Sequence, residues 1–296
     1  MNGILCVNKP QDFTSFDVIA KLRGILKIRR LGHGGTLDPM ATGVLPVFVG
    51  TATKACDIMP DNTKSYEAGF RLGQSTDTQD ITGTVTAESG MEVSEEELIA
   101  VLPGFTGKIM QLPPMYSAVQ VGGKRLYDLA RKGVEVEREP REIEVSSLKL
   151  LSYDPLTREG RLEIVCGKGT YIRTIISDIG EKLGCGGVMT SLVRTLSGGF
   201  RLEECHSLEE IQKAADQGRA EELILPIERV FSSMKRITLS EVQTRMYRNG
   251  VKLDITRVRG VLPDCDTYAV YGSEGFMGLA QADREAGVIR VGKNLT

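Results

Sequence analysis

A chain of 296 residues with 41% apolar and 26% charged side chains and a formal net charge of −2 has an ordinary globular composition. That excludes global disorder and leaves length for one large core plus a smaller one. The longest apolar runs, such as Gly43 to Gly50, are too short to cross a bilayer, and Met1 to Pro10 lacks the charged start and apolar stretch of a secretory leader, so a cytoplasmic setting is expected.

Six cysteines, Cys6, Cys56, Cys166, Cys185, Cys205 and Cys265, lie without paired spacing, which argues for buried thiols and predicts neither zinc nor disulfides. The near-neutral total conceals local patches. Lys21, Arg23, Lys27, Arg29 and Arg30 precede Gly32 with no acid among them, and basic residues outnumber acids from Arg229 to Arg259. Patches of this kind suit a nucleic-acid partner even when the whole chain is balanced.

In chain order, Ile4 to Val7 reads as a short apolar strand, turned at Lys9-Pro10, after which Thr14 or Ser15 caps a helix. Val18, Ile19, Leu22, Ile25 and Leu26 recur at helical spacing, with Arg23, Lys27 and Arg30 together on another face. The run Gly32-His33-Gly34-Gly35-Thr36-Leu37-Asp38-Pro39-Met40-Ala41-Thr42-Gly43-Val44-Leu45-Pro46 must be a shaped loop, since its glycines and prolines forbid a regular helix or central strand. It carries one carboxylate, Asp38, beside one imidazole, His33. Its glycines are expected to let the backbone and His33 come close to a ligand. Val44 to Val49 then reads as a buried strand.

Lys64 opens a strand whose alternation turns Tyr66, Ala68, Phe70 and Leu72 inward. Gln74 to Gly83 is a polar turn in which Asp77 and Asp80 serve turn chemistry rather than calcium. Ser94 to Leu102 is a capped acidic helix, and Gln111 to Ala118 is extended because Pro113 and Pro114 forbid helix. Between Gly122 and Gly133, Lys124, Arg125, Arg131 and Lys132 surround Tyr127, a mixture suited to gripping nucleic acid. Arg161 to Cys166 is a strand, after which Thr170 is placed to cap a helix with an apolar stripe of Ile172, Ile175, Ile176, Ile179 and Leu183. Arg173 falls in its first turn, against the helix dipole, which points to a nearby anion with Asp38 as the candidate. Ser191 to Phe200 returns as a strand carrying Leu192 and Arg194. After a linker at Pro226 to Arg236, Tyr268 to Tyr271, Phe276 to Ala280 and Val288 to Val291 read as strands of a small β module.

Five of these segments, in order, resemble the TruB family of tRNA pseudouridine synthases: Lys9-Pro10, Gly32 through Pro39, Lys64 through Gly83, Pro113 through Ala118, and Gly169-Thr170-Tyr171-Ile172-Arg173-Thr174. Val193, where relatives often carry a basic residue, and Val119-Gln120, where lysine is common, depart from the pattern. The resemblance implies an α+β pseudouridine synthase fold over residues 1–232, with a mixed, largely antiparallel sheet flanked by helices and loops. An RNA-clamping segment at about 94–140 and a small all-β PUA-like RNA-binding domain at 233–296 complete it. It further implies isomerisation of a uridine in the T loop of tRNA, by base flipping and with no cofactor or metal. Asp38 would be the nucleophile, Arg173 its ion-pair partner, Tyr66 the ring stacked on the flipped uracil, Tyr171 and Leu192 walls of the base pocket, and His33 a residue entering the RNA loop. The implied partner is the tRNA T arm, bound by a monomer with no membrane and no obligatory protein partner. The competing readings are an RNA-binding or tRNA-folding chaperone without catalysis, and a small-molecule enzyme using the glycine loop as an anion cradle.

Overall fold

The computed structural model describes residues 1–295. Strand β1 (Gly3–Lys9) is buried at every position but Asn8. Helix α1 (Ser15–Leu26) starts at a capping box: the Thr14 side chain accepts from the Asp17 amide, and the Asp17 carboxylate accepts from the Thr14 amide. Its apolar stripe is buried as the spacing requires. The basic face is shorter than expected, because Lys27 takes a left-handed φ of 56° and stops the helix. Arg29 and Arg30 therefore lie beyond its end, Arg30 donating from Nε to Thr53 Oγ1 at 2.7 Å.

Strands β2 (Leu31–His33) and β3 (Thr42–Val49) flank the glycine loop and pair antiparallel, His33 opposite Val47. In β4 (Lys64–Leu72) the period-two face of Tyr66, Ala68, Phe70 and Leu72 is buried. The hairpin β5 (Gln74–Thr76) and β6 (Val85–Glu88) encloses the polar turn, and α2 (Glu95–Val101), capped by Ser94, leads to β7 (Gly107–Gln111). The small hairpin β8 (Gln120–Val121) and β9 (Lys124–Arg125) runs into α3 (Leu126–Ala130), where Arg125 and Arg131 both lie over the Tyr127 ring. Next come β10 (Arg141–Asp154), β11 (Glu159–Cys166), α4 (Ile172–Lys182), β12 (Gly187–Ser197), β13 (Phe200–Arg201) and α5 (Leu208–Asp216).

These strands form one nine-stranded sheet with the path β1-β3-β12-β4-β11-β10-β7, β13 adding to β12 and β2 to β3. Every pairing is antiparallel except β3 with β12, which is held by only two residue pairs, Val193 with Thr42 and Arg194 with Gly43. The glycine loop is tied to this junction, its Gly35 and Thr36 carbonyls accepting from the Arg194 side chain. A Cβ on Gly43 would stand 2.3 Å from the Arg194 carbonyl oxygen, and its φ is +102°, so only glycine lets the two strands meet there.

The C-terminal module is a five-stranded sheet ordered β14 (Arg236–Thr238), β16 (Thr267–Gly272), β17 (Gly275–Asp283), β18 (Val288–Asn294) and β15 (Leu253–Asp254). It also contains a helix, α6 (Glu241–Arg248), anchored by buried Tyr247, whose hydroxyl donates to the Leu279 carbonyl at 2.8 Å. Ile4, Phe48, Phe231, Ala269 and Leu279 share one apolar cluster, and Phe231 stacks on Phe276 with centroids 5.4 Å apart, so the module is seated on the first sheet through a continuous core.

Candidate active site

The loop after β2 is held from below at three points. The hydroxyl of Ser15, the first residue of α1, accepts from the Leu37 amide at 2.9 Å. The buried Lys9 ammonium donates to the carbonyls of Pro10, Phe13 and Pro39 at 2.8, 2.5 and 3.1 Å. Burial lowers that ammonium to about 8, against the pull of Asp38 and Asp12 in the other direction. The third anchor is Arg194, completely buried on β12. Its Nε donates to the Val44 carbonyl at 2.7 Å, and Nη1 and Nη2 donate to the carbonyls of Thr36 and Gly35 at 3.3 Å each. Asp38 is thus the one charged side chain of a loop whose neighbours on both sides are fixed. The glycines serve this internal fit: a Cβ on Gly34 would press on Met59 Sδ and Phe48 Cε2 at 3.1 and 3.2 Å. That corrects the expectation that they open the loop to a ligand, with Gly35, exposed and at φ +91°, as the exception.

Arg173 projects from the second residue of α4 into the same space. Its Nε stands 2.8 Å from Asp38 Oδ2 and 3.8 Å from Asp80 Oδ2, while Nη1 and Nη2 donate to the carbonyls of Thr78 and Tyr116 at 2.9 and 3.0 Å. The arginine side chain is 5% exposed and Asp80 8%, but Asp38 is 38% exposed, so the cation is locked from behind and the nucleophile candidate faces outward. Asp80 does serve its turn, its Oδ1 accepting from Thr78 Oγ1 and from the Thr82 amide and hydroxyl. It is also a member of the ion-pair network, which the sequence reading missed. Thr170 does not cap α4: its hydroxyl donates to the Gly167 carbonyl, the N-cap is Tyr171, and the Gln111 side chain from β7 accepts from the Tyr171 amide at 2.9 Å. α4 thus starts without a side-chain cap, and a distant amide satisfies the N–H of its N-cap residue.

Tyr66 and Leu192 lie in one apolar cluster with Leu37, on adjacent strands β4 and β12. Burial raises the Tyr66 phenol above its ordinary value, Arg194 opposes the shift, and the Asp38 charge adds to it, so ring and carboxylate share one field. Tyr171, half-buried, leads directly into Arg173. His33 ends β2 at the edge of the group; burial lowers its imidazole below the usual value, and its Nδ1 is buried without a hydrogen-bond partner. Arg194 was legible only as an inward-phase strand residue two after Leu192, and a cation in that phase is itself a signal of buried acceptors.

Fold and site together present one partly exposed carboxylate, paired with a buried arginine, beside a mixed sheet whose inward face carries a buried tyrosine. Residues 23–172 match the TruB family pseudouridylate synthase N-terminal domain, and residues 173–232 match the tRNA pseudouridylate synthase B C-terminal domain. The tRNA pseudouridine synthase B of Clostridium tetani is 42% identical over 286 residues, covering 96% of this chain and 97% of that protein. That of Lactobacillus johnsonii is 43% identical over 271 residues, covering 88% and 91%. Among solved structures, a chain of a Cbf5-Nop10-Gar1 complex aligns with TM-score 0.77 and 25% identity over 99% of this chain and 85% of that one. The chain belongs to the TruB family of pseudouridylate synthases.

Proposed function

We propose that this protein isomerises a uridine in the T loop of tRNA to pseudouridine, acting alone and as a monomer on the T arm in the cytoplasm. The observation that carries the reading is the outward-facing Asp38 carboxylate fixed 2.8 Å from a buried Arg173 beside Tyr66, in a chain of this family. The reaction breaks the C1′–N1 bond, turns the uracil over, joins C1′ to C5, releases the C5 proton and leaves N1 carrying a proton, with no net change in composition or redox state. The base must leave its stack to reach the site, and Tyr66, Leu192 and Tyr171 supply walls for it. Asp38 supplies the nucleophile, at C1′ of the ribose or C6 of the uracil, and Arg173 orients it through the 2.8 Å Nε contact. His33, at the rim, enters the space left by displaced loop bases. Residues 1–232 form the catalytic domain, with a clamp at about 94–140 where Arg125, Arg131 and Tyr127 cluster. Residues 233–296 form a PUA-like RNA-binding domain. In both regions cations meet phosphates, so affinity falls with salt.

The test is release of tritium from C5-labelled uridine in a transcribed tRNA. Asp38→Asn should lose release by at least a thousandfold and bind tRNA within about twofold of the unmodified enzyme. Normal release by the variant removes the assignment, and binding without release by the unmodified protein favours the chaperone reading.

A further inference from the structure

Lys64 is a cation without a carboxylate. It opens β4 two residues before Tyr66, makes no ion pair among the described residues, and is half-buried. The charged groups that act on it are Arg194 and Lys168, both cations, and the Cys166 thiol. Burial and those two cations lower its ammonium below the ordinary value. Withdrawing an ammonium from water beside two like charges is costly unless an anion compensates it. The chain has 39 acids to choose from, and none is placed there.

The surroundings are open on one side. The side chain runs along Gly35, where a Cβ would stand 3.5 Å from Lys64 Cε and 3.6 Å from Arg194 Nη1. Gly35 and Thr36 are exposed, as is Lys168 on the turn between β11 and α4. The Lys64 ammonium and the exposed Lys168 thus lie on the solvent side, at the side-chain-free position of the loop, with Arg194 buried behind them and already engaged by carbonyls. Lys64 and Tyr66 share a strand face, so their side chains leave the sheet about 7 Å apart. That is close to the reach from a nucleobase to the phosphate of its own nucleotide.

We propose that Lys64, with Lys168 and the exposed backbone at Gly35, seats the RNA phosphate adjoining the uridine stacked on Tyr66, and so positions the flipped nucleotide over Asp38. The assignment extends the synthase reading and depends on it for the identity of the nucleotide. Lys64 acts on the reaction through placement of the substrate, so it is a positioning residue.

A T-arm stem-loop RNA in which one linkage at a time is a neutral methylphosphonate tests it, with binding and tritium release measured for the wild type and for Lys64→Met. The wild type should lose about tenfold in affinity at one linkage beside the target uridine. Lys64→Met should lose about tenfold on the all-phosphate RNA and nothing further at that linkage, and its plot of log affinity against log salt should be shallower by about 0.7. Because an uncompensated cation is removed, the variant should melt at or above the wild-type temperature; Lys64→Gln replaces it should the methionine variant not fold. Equal response of wild type and variant to every linkage, or an unchanged salt slope, overturns the proposal. Discrimination among linkages by a wild type that releases no tritium would leave the anion seat standing and sink the reaction instead.

Discussion

Replacing Arg173 by methionine separates the two tasks of the guanidinium. It removes the Nε contacts to Asp38 and Asp80 and the donors to the Thr78 and Tyr116 carbonyls. The two acids are not equivalent. Asp38 is open enough for water to take over, so its lost pairing costs at most about 1 kcal/mol of stability. Asp80 is 8% exposed and keeps its hydrogen bonds from Thr78 and Thr82 but loses the cation 3.8 Å away, while the Thr78 and Tyr116 carbonyls lose their donors; together these cost about 3 to 5 kcal/mol. In a chain of this length that corresponds to a fall in Tm on the order of 10 °C. Arg173→Met with Asp80→Asn removes the buried charge left without its cation and should be more stable than Arg173→Met alone by about 1 to 2 kcal/mol. Tritium release should stay down by at least a hundredfold in both, because Asp38 still lacks its cation. Urea or thermal unfolding gives the first quantity and single-turnover release the second. A double variant no more stable than Arg173→Met would refute the buried-charge argument, and near-normal release per folded molecule would refute the role of the pair.

Tyr66→Phe should fold with little loss, since the ring fills the same buried volume, whereas Tyr66→Ala should cost about 3 to 5 kcal/mol through the cavity it leaves. If stacking is the main task, the phenylalanine variant binds RNA within about threefold of wild type, and a larger fall in turnover than in affinity assigns the hydroxyl to proton transfer. The Lys9 ammonium lies at about 8 in the fold against 10.5 as the ordinary value. Between those values the unfolded chain holds more protons, so the contribution of this site to stability rises with pH across that window. Lys9→Met should flatten the rise in unfolding midpoint measured at low salt; an unchanged slope would assign it to other groups.

How much of this could be read from the chain depends on the range of the interactions. Periodicity alone placed the inward face of β4, the apolar stripes of α1 and α4 and the buried strand β3, because each is a local repeat matched to 2 or 3.6 residues. The C-terminal strands were legible for the same reason, although their register and the presence of α6 were not. Arg173 could be recognised as a cation in an unfavourable place, at a helix start with no acid in its first turn.

Its partners could not be fully enumerated, since Asp38, Asp80, Thr78 and Tyr116 come from three separate stretches brought together by the sheet and by α4. Asp80 has a sufficient local explanation as a turn residue, which hides its second partner. Gln111 reaches the Tyr171 amide from 60 residues away, and Arg194 acquires meaning only when the two-pair parallel junction of β3 and β12 puts the carbonyls of Gly35, Thr36 and Val44 around it. Residue types and spacing determined which elements form and which side chains carry charge or turn inward. Tertiary structure decided which charges meet, because burial makes a cation seek whatever acceptors the fold delivers rather than those nearest in sequence.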